Sequence, residues 1–254
     1  MILGALQPGD IPVLVLAVTG LVPLYVIARR EVQGRPVLVP VRRPFRLGFG
    51  GLPLLWGGAL FVLYALGGQL VISESLGVVG DAMGIVAALG GSLLVWWLAR
   101  RMVLRPGGPG LRRAAQGLFH VWAALPFVFG SFLLLQLLGL PEKQQQVILI
   151  EERAEGWQAL AIFAVVVAPV AEEVCFRGLL YPTLRQRLGA RPALYLTSLC
   201  FAVIHWPMTT WMPLAFLAVF LAYLVEATGS LVPAVVAHAA FNALAVAQLL
   251  VFGG

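Results

Sequence analysis

Apolar runs of roughly 20 residues recur along the chain, each closed by a short polar, basic or Gly/Pro-rich stretch. As a helix rising 1.5 Å per residue, a run of that length covers about 30 Å, the thickness of a bilayer's hydrocarbon core. The pattern predicts helices over 11–28, 50–72, 76–99, 114–140, 157–173, 192–205, 211–227 and 231–251. Between them lie a polar loop at 29–49, Ser73-Glu74-Ser75, a basic loop at 100–113 and an acidic stretch at 141–156. An amphipathic basic segment at 177–191 and a tight turn, Thr228-Gly229-Ser230, complete the set. The expected fold is all-α: a polytopic integral membrane protein of about eight transmembrane helices around a buried polar cavity. There is no internal repeat, so residues 1–254 read as one membrane domain. Its first 110 residues are accessory helices and 111–254 are the core, with Pro106-Gly107-Gly108-Pro109-Gly110 as the clearest linker.

Composition supports this. The 254 residues are 61% hydrophobic and 11% charged, less than half the charged share of a soluble domain. The net charge of +6 does not imply nucleic acid, because the basic residues sit in short loops between apolar runs. Loops one, three and five hold six, five and four Arg/Lys, counting Arg177, which is 15 of the 17 in the chain. By the positive-inside rule the odd-numbered loops face the cytoplasm and both termini lie outside, in a cell membrane. The first run is followed by Arg29-Arg30 and lacks a small-residue cleavage site, so it reads as a retained helix. Cys175 and Cys200 lie in apolar surroundings and read as buried, inert thiols. Trp96, Trp97, Trp206 and Trp211 fit an interfacial belt, and His120, beside Trp122, reads as an interface residue.

Charge inside the later runs is the feature that needs a function. Glu172 and Glu173 end the fifth run, with Arg177 one turn on. His205 ends the sixth, four residues after Phe201, and His238 and Asn242 stand four apart in the eighth. Ionisable groups in a membrane segment normally face a protein interior and mark a site. Residues four apart share a helix face, so Glu173 can pair with Arg177 while Glu172, rotated by about 100°, points elsewhere. One carboxylate is then free for chemistry and the other is tied. Counted from the turns that bound them, Glu172, His205 and His238 can meet in the cytoplasmic half of the bilayer. A carboxylate and a histidine can activate a water, and a second histidine with an amide can donate to a developing oxyanion. No Ser-His-Asp set and no His-Glu-x-x-His motif is present, although Glu and two His remain a possible metal donor set. Competing readings are a purely structural polar network, an immunity or scaffold protein, and a proton-coupled carrier. The lack of an inverted repeat weighs against the carrier. Asp81 and Glu226 read as interfacial or helix-pairing residues.

These residues resemble the signature of the CAAX-protease and bacteriocin-processing family of Rce1-like intramembrane glutamate proteases. Glu172-Glu173-x-x-x-Arg177, Phe201-x-x-x-His205 and His238-x-x-x-Asn242 stand in the family's order. Phe176-Arg177-Gly178 and the Thr-Gly-Ser-Leu turn also match, and the likeness spans about 159–244. The resemblance implies an intramembrane endopeptidase in which Glu172 and His205 activate water. His238 and Asn242 would form the oxyanion hole, and Glu173 and Arg177 would support the site. It implies neither cofactor nor metal. The implied partners are a peptide or protein substrate, with or without a lipid attached, and the bilayer.

Overall fold

A computed structural model describes residues 10–34, 77–99, 110–140, 157–205 and 207–252, with single positions 55, 58, 59, 62, 66 and 67. All regular structure among them is helical: α1 (Asp10–Thr19), α2 (Leu21–Val32), α3 (Gly77–Ala99), α4 (Gly110–Leu137), α5 (Trp157–Leu188), α6 (Ala190–Val203), a 3-10 turn (Met208–Thr210), α7 (Trp211–Thr228) and α8 (Val232–Phe252). Four stretches are long and apolar enough to cross a membrane: Leu111–Leu137, Trp157–Leu188, Met208–Thr228 and Val232–Val251. Val79–Leu93 and Ala190–Val203 are shorter apolar helices. The expected helix at 50–72 lies almost wholly outside the described residues, as do most of the loop at 29–49 and the stretch at 141–156.

Two expectations need correcting. The run at 11–28 is not one helix but two, meeting at Gly20. Pro23 is the physical cause: it has no N–H to give to Thr19, and its ring crowds that carbonyl. The stretch at 177–191 is not a separate amphipathic segment. The fifth helix runs unbroken from Trp157 to Leu188, and Arg177 is fully buried inside it. At 32 residues it is about 48 Å long, so its arginine-bearing end outruns a core of ~30 Å.

α5 keeps going by widening. Two π-helical segments, Phe163–Val167 and Val174–Leu180, flank the short α-helical stretch Ala168–Glu173. Each ends one residue before the residue preceding a proline, Pro169 or Pro182. A proline cannot donate to the carbonyl four residues back and collides with it, and an extra residue in the turn relieves the collision.

The core lies where α4, α5, α7 and α8 meet. α4 packs along α7 and α8, and α6 packs on α7. Val121, Leu125, Val128, Leu217, Leu221, Leu224 and Phe241 fill the space between. α1 and α2 lie against α4, where the Trp122 indole donates to the Leu16 carbonyl at 3.2 Å. Gly229, in the left-handed region at φ 63°, ends α7 and lets the chain reverse into α8.

The described arginines other than Arg177 gather at one end of this bundle. Arg29 and Arg30 end α2, which Glu31 ties to Tyr223 of α7. Arg113 opens α4 and bonds Ser230. Arg185 and Arg187 end α5, and Arg185 grips Glu226 of α7 through two hydrogen bonds of 2.7 and 2.6 Å. Glu226 is thus a half-buried tie between α5 and α7. Asp81 is buried in α3.

His120 is buried at 1% exposure, its Nδ1 donating to the Gln116 carbonyl, so it is a core residue and not an interface one. Its place on the face of α4 that meets α7 puts its ring against Tyr223. Cys200 is exposed and Cys175 half-buried, so neither is the fully buried thiol expected, and neither forms a disulfide. Trp97 is exposed. Trp211 donates to the His205 carbonyl at 2.7 Å, and so braces the chain after α6. The side chains of Trp96 and Trp206 lie outside the described residues.

Candidate active site

Two helices, α5 and α8, and the end of α6 bring the charged motif residues to one place. Glu172 and Glu173 sit on the α-helical stretch between the two π segments, so the widened turns on either side set where they point. Glu173 and Arg177 are both fully buried and bonded at 2.8 Å. Arg177 also donates to the Ala218 carbonyl of α7 at 3.2 Å, and its guanidinium lies 4.5 Å from the centre of the Phe201 ring. Burying a guanidinium without a carboxylate is costly, so this pair is one unit.

His238 bridges the two carboxylates. Its Nδ1 is 3.0 Å from Glu173 Oε1 and its Nε2 is 3.8 Å from Glu172 Oε2. Because Glu173 Oε1 is a carboxylate oxygen already accepting from Arg177, the proton in the His238 bond belongs to Nδ1. His205 approaches from the other side. It lies just past α6, and its Nδ1 donates to the Phe201 carbonyl at 2.7 Å. Its Nε2 is therefore an acceptor when the ring is neutral, and it stands 3.7 Å from the same Glu172 oxygen. Both imidazole Nε2 atoms thus converge on Glu172 Oε2 at distances too long for a direct hydrogen bond.

Asn242, one turn beyond His238 on α8, donates through Nδ2 to the Ala164 carbonyl at 2.7 Å. That carbonyl lies in the first π segment, and the residue five positions on is Pro169, which has no N–H to offer. Asn242 therefore fills the place of a missing backbone donor, and its second amide proton remains for another acceptor.

The six motif residues lie in one neighbourhood: Arg177, Glu173, His238, Glu172 and His205 are linked in that order by successive contacts, and Asn242 sits one turn along α8. The motif reading assigns Phe201 no role, yet the ring is fully buried and central. It lies 4.7 Å from the His205 ring, 5.6 Å from His238, and edge-on to Phe176. The signal was its place one turn before His205. No sequence signal marks the Ala164 and Ala218 carbonyls, which act through their backbone positions.

Residues 155–244 match the family described as type II CAAX prenyl endopeptidase, Rce1-like. Searches of curated proteins and of solved structures find no match. The matched segment contains the whole cluster, from α5 through most of α8. The chain, all-helical among its described residues and carrying four helices fit to cross a membrane, is thus similar over residues 155–244 to the Rce1-like CAAX proteases.

Proposed function

We propose that the protein is an intramembrane endopeptidase that hydrolyses a peptide bond with a water held between Glu172 and His205. The observation that carries this reading is the 3.7 Å gap between Glu172 Oε2 and His205 Nε2. With Nδ1 of His205 donating to Phe201, two acceptors face each other there. A water has two protons to give and can bond to both. Its oxygen is then polarised for attack, with Glu172 as the base that takes the proton and His205 holding the lone pair direction.

The opposite wall supplies donors. Glu173 holds His238 by Nδ1, so His238 can donate through Nε2 to a developing oxyanion only as the imidazolium. Glu173 is then more than a brace for Arg177, because it also fixes the orientation of the His238 ring. Asn242 offers its second amide proton to the same oxyanion. No metal or cofactor takes part in this scheme. The substrate is a peptide or protein, and a buried polar cavity opening toward the arginine-bearing end would admit it, the end we assign to the cytoplasm.

Purified protein in lipid, given C-terminal peptides with and without a prenyl group, should cut at least one of them. Glu172→Ala and His205→Ala should each lower the rate by about 100-fold or more. Cleavage by both variants at the wild-type rate would refute the assignment. A zinc-dependent variant is the alternative, although no three His, Cys, Asp or Glu side chains among the described residues are arranged to hold a metal ion. Loss of activity on chelation, restored by zinc, would select it.

A further inference from the structure

We propose that Arg113, Ser230 and the N-terminus of α8 form a binding site for a phosphate-type oxyanion at the arginine-bearing end of the bundle. This site lies apart from the carboxylate–histidine cluster and does not depend on the protease reading. From Ser230 to His238 is eight residues, about 12 Å along α8.

The first observation is a buried cation with a donor left over. Arg113 is only 5% exposed, in the first turn of α4. One terminal nitrogen donates to Ser230 Oγ at 2.8 Å, and the other is buried with no hydrogen-bond partner. Burial of an arginine usually comes with a carboxylate. Here the bonded partner is a neutral hydroxyl, while Glu226, four residues before that serine, is held by Arg185 and Tyr181.

The second observation concerns that hydroxyl. Ser230 Oγ accepts from Arg113 and also from the backbone N–H of Val232 at 3.3 Å. With two donors on its oxygen, its own proton is free to be donated outward. The third is electrostatic. The guanidinium stands at the start of a 21-residue helix, whose dipole places partial positive charge at that end. Two like charges face each other, and an anion between them would offset both.

The arrangement is held rigidly. Gly117, one turn beyond Arg113, packs so close to α8 that a Cβ there would lie 2.4 Å from the Pro233 carbonyl. This contact fixes Arg113 over the helix start. A planar guanidinium, a hydroxyl donor and a helix N-terminus are together the recognition set for a phosphate oxyanion. The site also lies beside a lipid-type surface, since Leu111 and Leu118 on α4 are 85% and 50% exposed. A phospholipid headgroup and a soluble phosphate present the same chemistry, and the experiment separates them.

The full chain would be placed in nanodiscs of phosphatidylcholine with and without phosphatidic acid, and retained lipid counted by native mass spectrometry. In parallel, thermal unfolding would be followed in detergent with inorganic phosphate. Wild type should retain phosphatidic acid at least about fivefold more than Arg113→Gln or Ser230→Ala. The exposed neighbour variant Arg112→Gln should differ from wild type less than twofold, as an exposed charge contributes little. Stabilisation by inorganic phosphate, lost in both variants, with no lipid preference would also support the site and assign a soluble ligand. Equal lipid retention and equal phosphate response in wild type and folded Ser230→Ala would overturn it, whether or not Arg113→Gln folds.

Discussion

Two adjacent glutamates on one turn have unlike surroundings. Glu173 is sealed against Arg177 and His238, whereas Glu172 keeps an oxygen facing two imidazoles across gaps of 3.7 and 3.8 Å. Their variants should separate accordingly. Glu172→Gln should lose about 100-fold or more in cleavage rate with its unfolding temperature unchanged. Glu173→Gln leaves Arg177 buried without its charge partner, so it should cost about 3–5 kcal/mol of stability as well as activity. Cleavage assays paired with thermal unfolding in the same detergent distinguish the two, and an equal fall in stability for both would contradict the division. The Glu173–Arg177 pair was legible from spacing alone, because i and i+4 meet on any helix. The Glu173–His238 bond was not, because it depends on how α8 lies against α5. Phe201 belongs at this scale too. Its ring faces Arg177, His205 and His238 at once. Phe201→Leu should therefore cost about 1–2 kcal/mol through the lost cation–π contact and ring packing. It should also slow cleavage without abolishing it, measured on the same two axes.

At the scale of the element, the shape of α5 decides where the carboxylates point. Periodicity and apolar length placed α4, α5, α7 and α8 close to where they fall, because a bilayer admits few backbone solutions besides a continuous helix. What the pattern could not convey was continuity through charge. Arg177 read as the start of a loop because an arginine in an apolar helix is costly, and the cost disappears only when Glu173 and the Ala218 carbonyl are seen beside it. The reverse error occurred in the first run, where uniform apolar composition hid the break at Gly20 that Pro23 imposes. Prolines in α5 widen the helix without breaking it. Pro169→Ala tests this. It restores an N–H that competes with Asn242 for the Ala164 carbonyl and removes the reason for the first π segment. Such a variant should be as stable as wild type or more so, by up to about 1 kcal/mol, yet cleave about tenfold more slowly. Unchanged cleavage in a protein of equal stability would mean that the π geometry does not position Glu172.

For the molecule as a whole, the arrangement of arginines is the strongest statement about how it sits in a membrane. Contacts between helices, not loop counting, put Arg29, Arg30, Arg112, Arg113, Arg185, Arg187 and Arg191 at one end. The charge pattern of the chain anticipated this grouping, although Arg177 dropped out of it by being buried in α5. Anionic lipid and the positive-inside bias both favour an end this basic on the cytoplasmic side, and that is the orientation we propose. The His205 end of α6 and the 3-10 turn after it then point toward the opposite face. A pair of single cysteines decides the orientation. In a Cys175→Ala, Cys200→Ala background, Arg187→Cys should react with a membrane-impermeant maleimide only after the cells are opened. Met208→Cys, 58% exposed at the other end of the bundle, should react in intact cells if that end reaches water. Labelling of Arg187→Cys in intact cells would invert the topology, and with it the side from which a peptide enters.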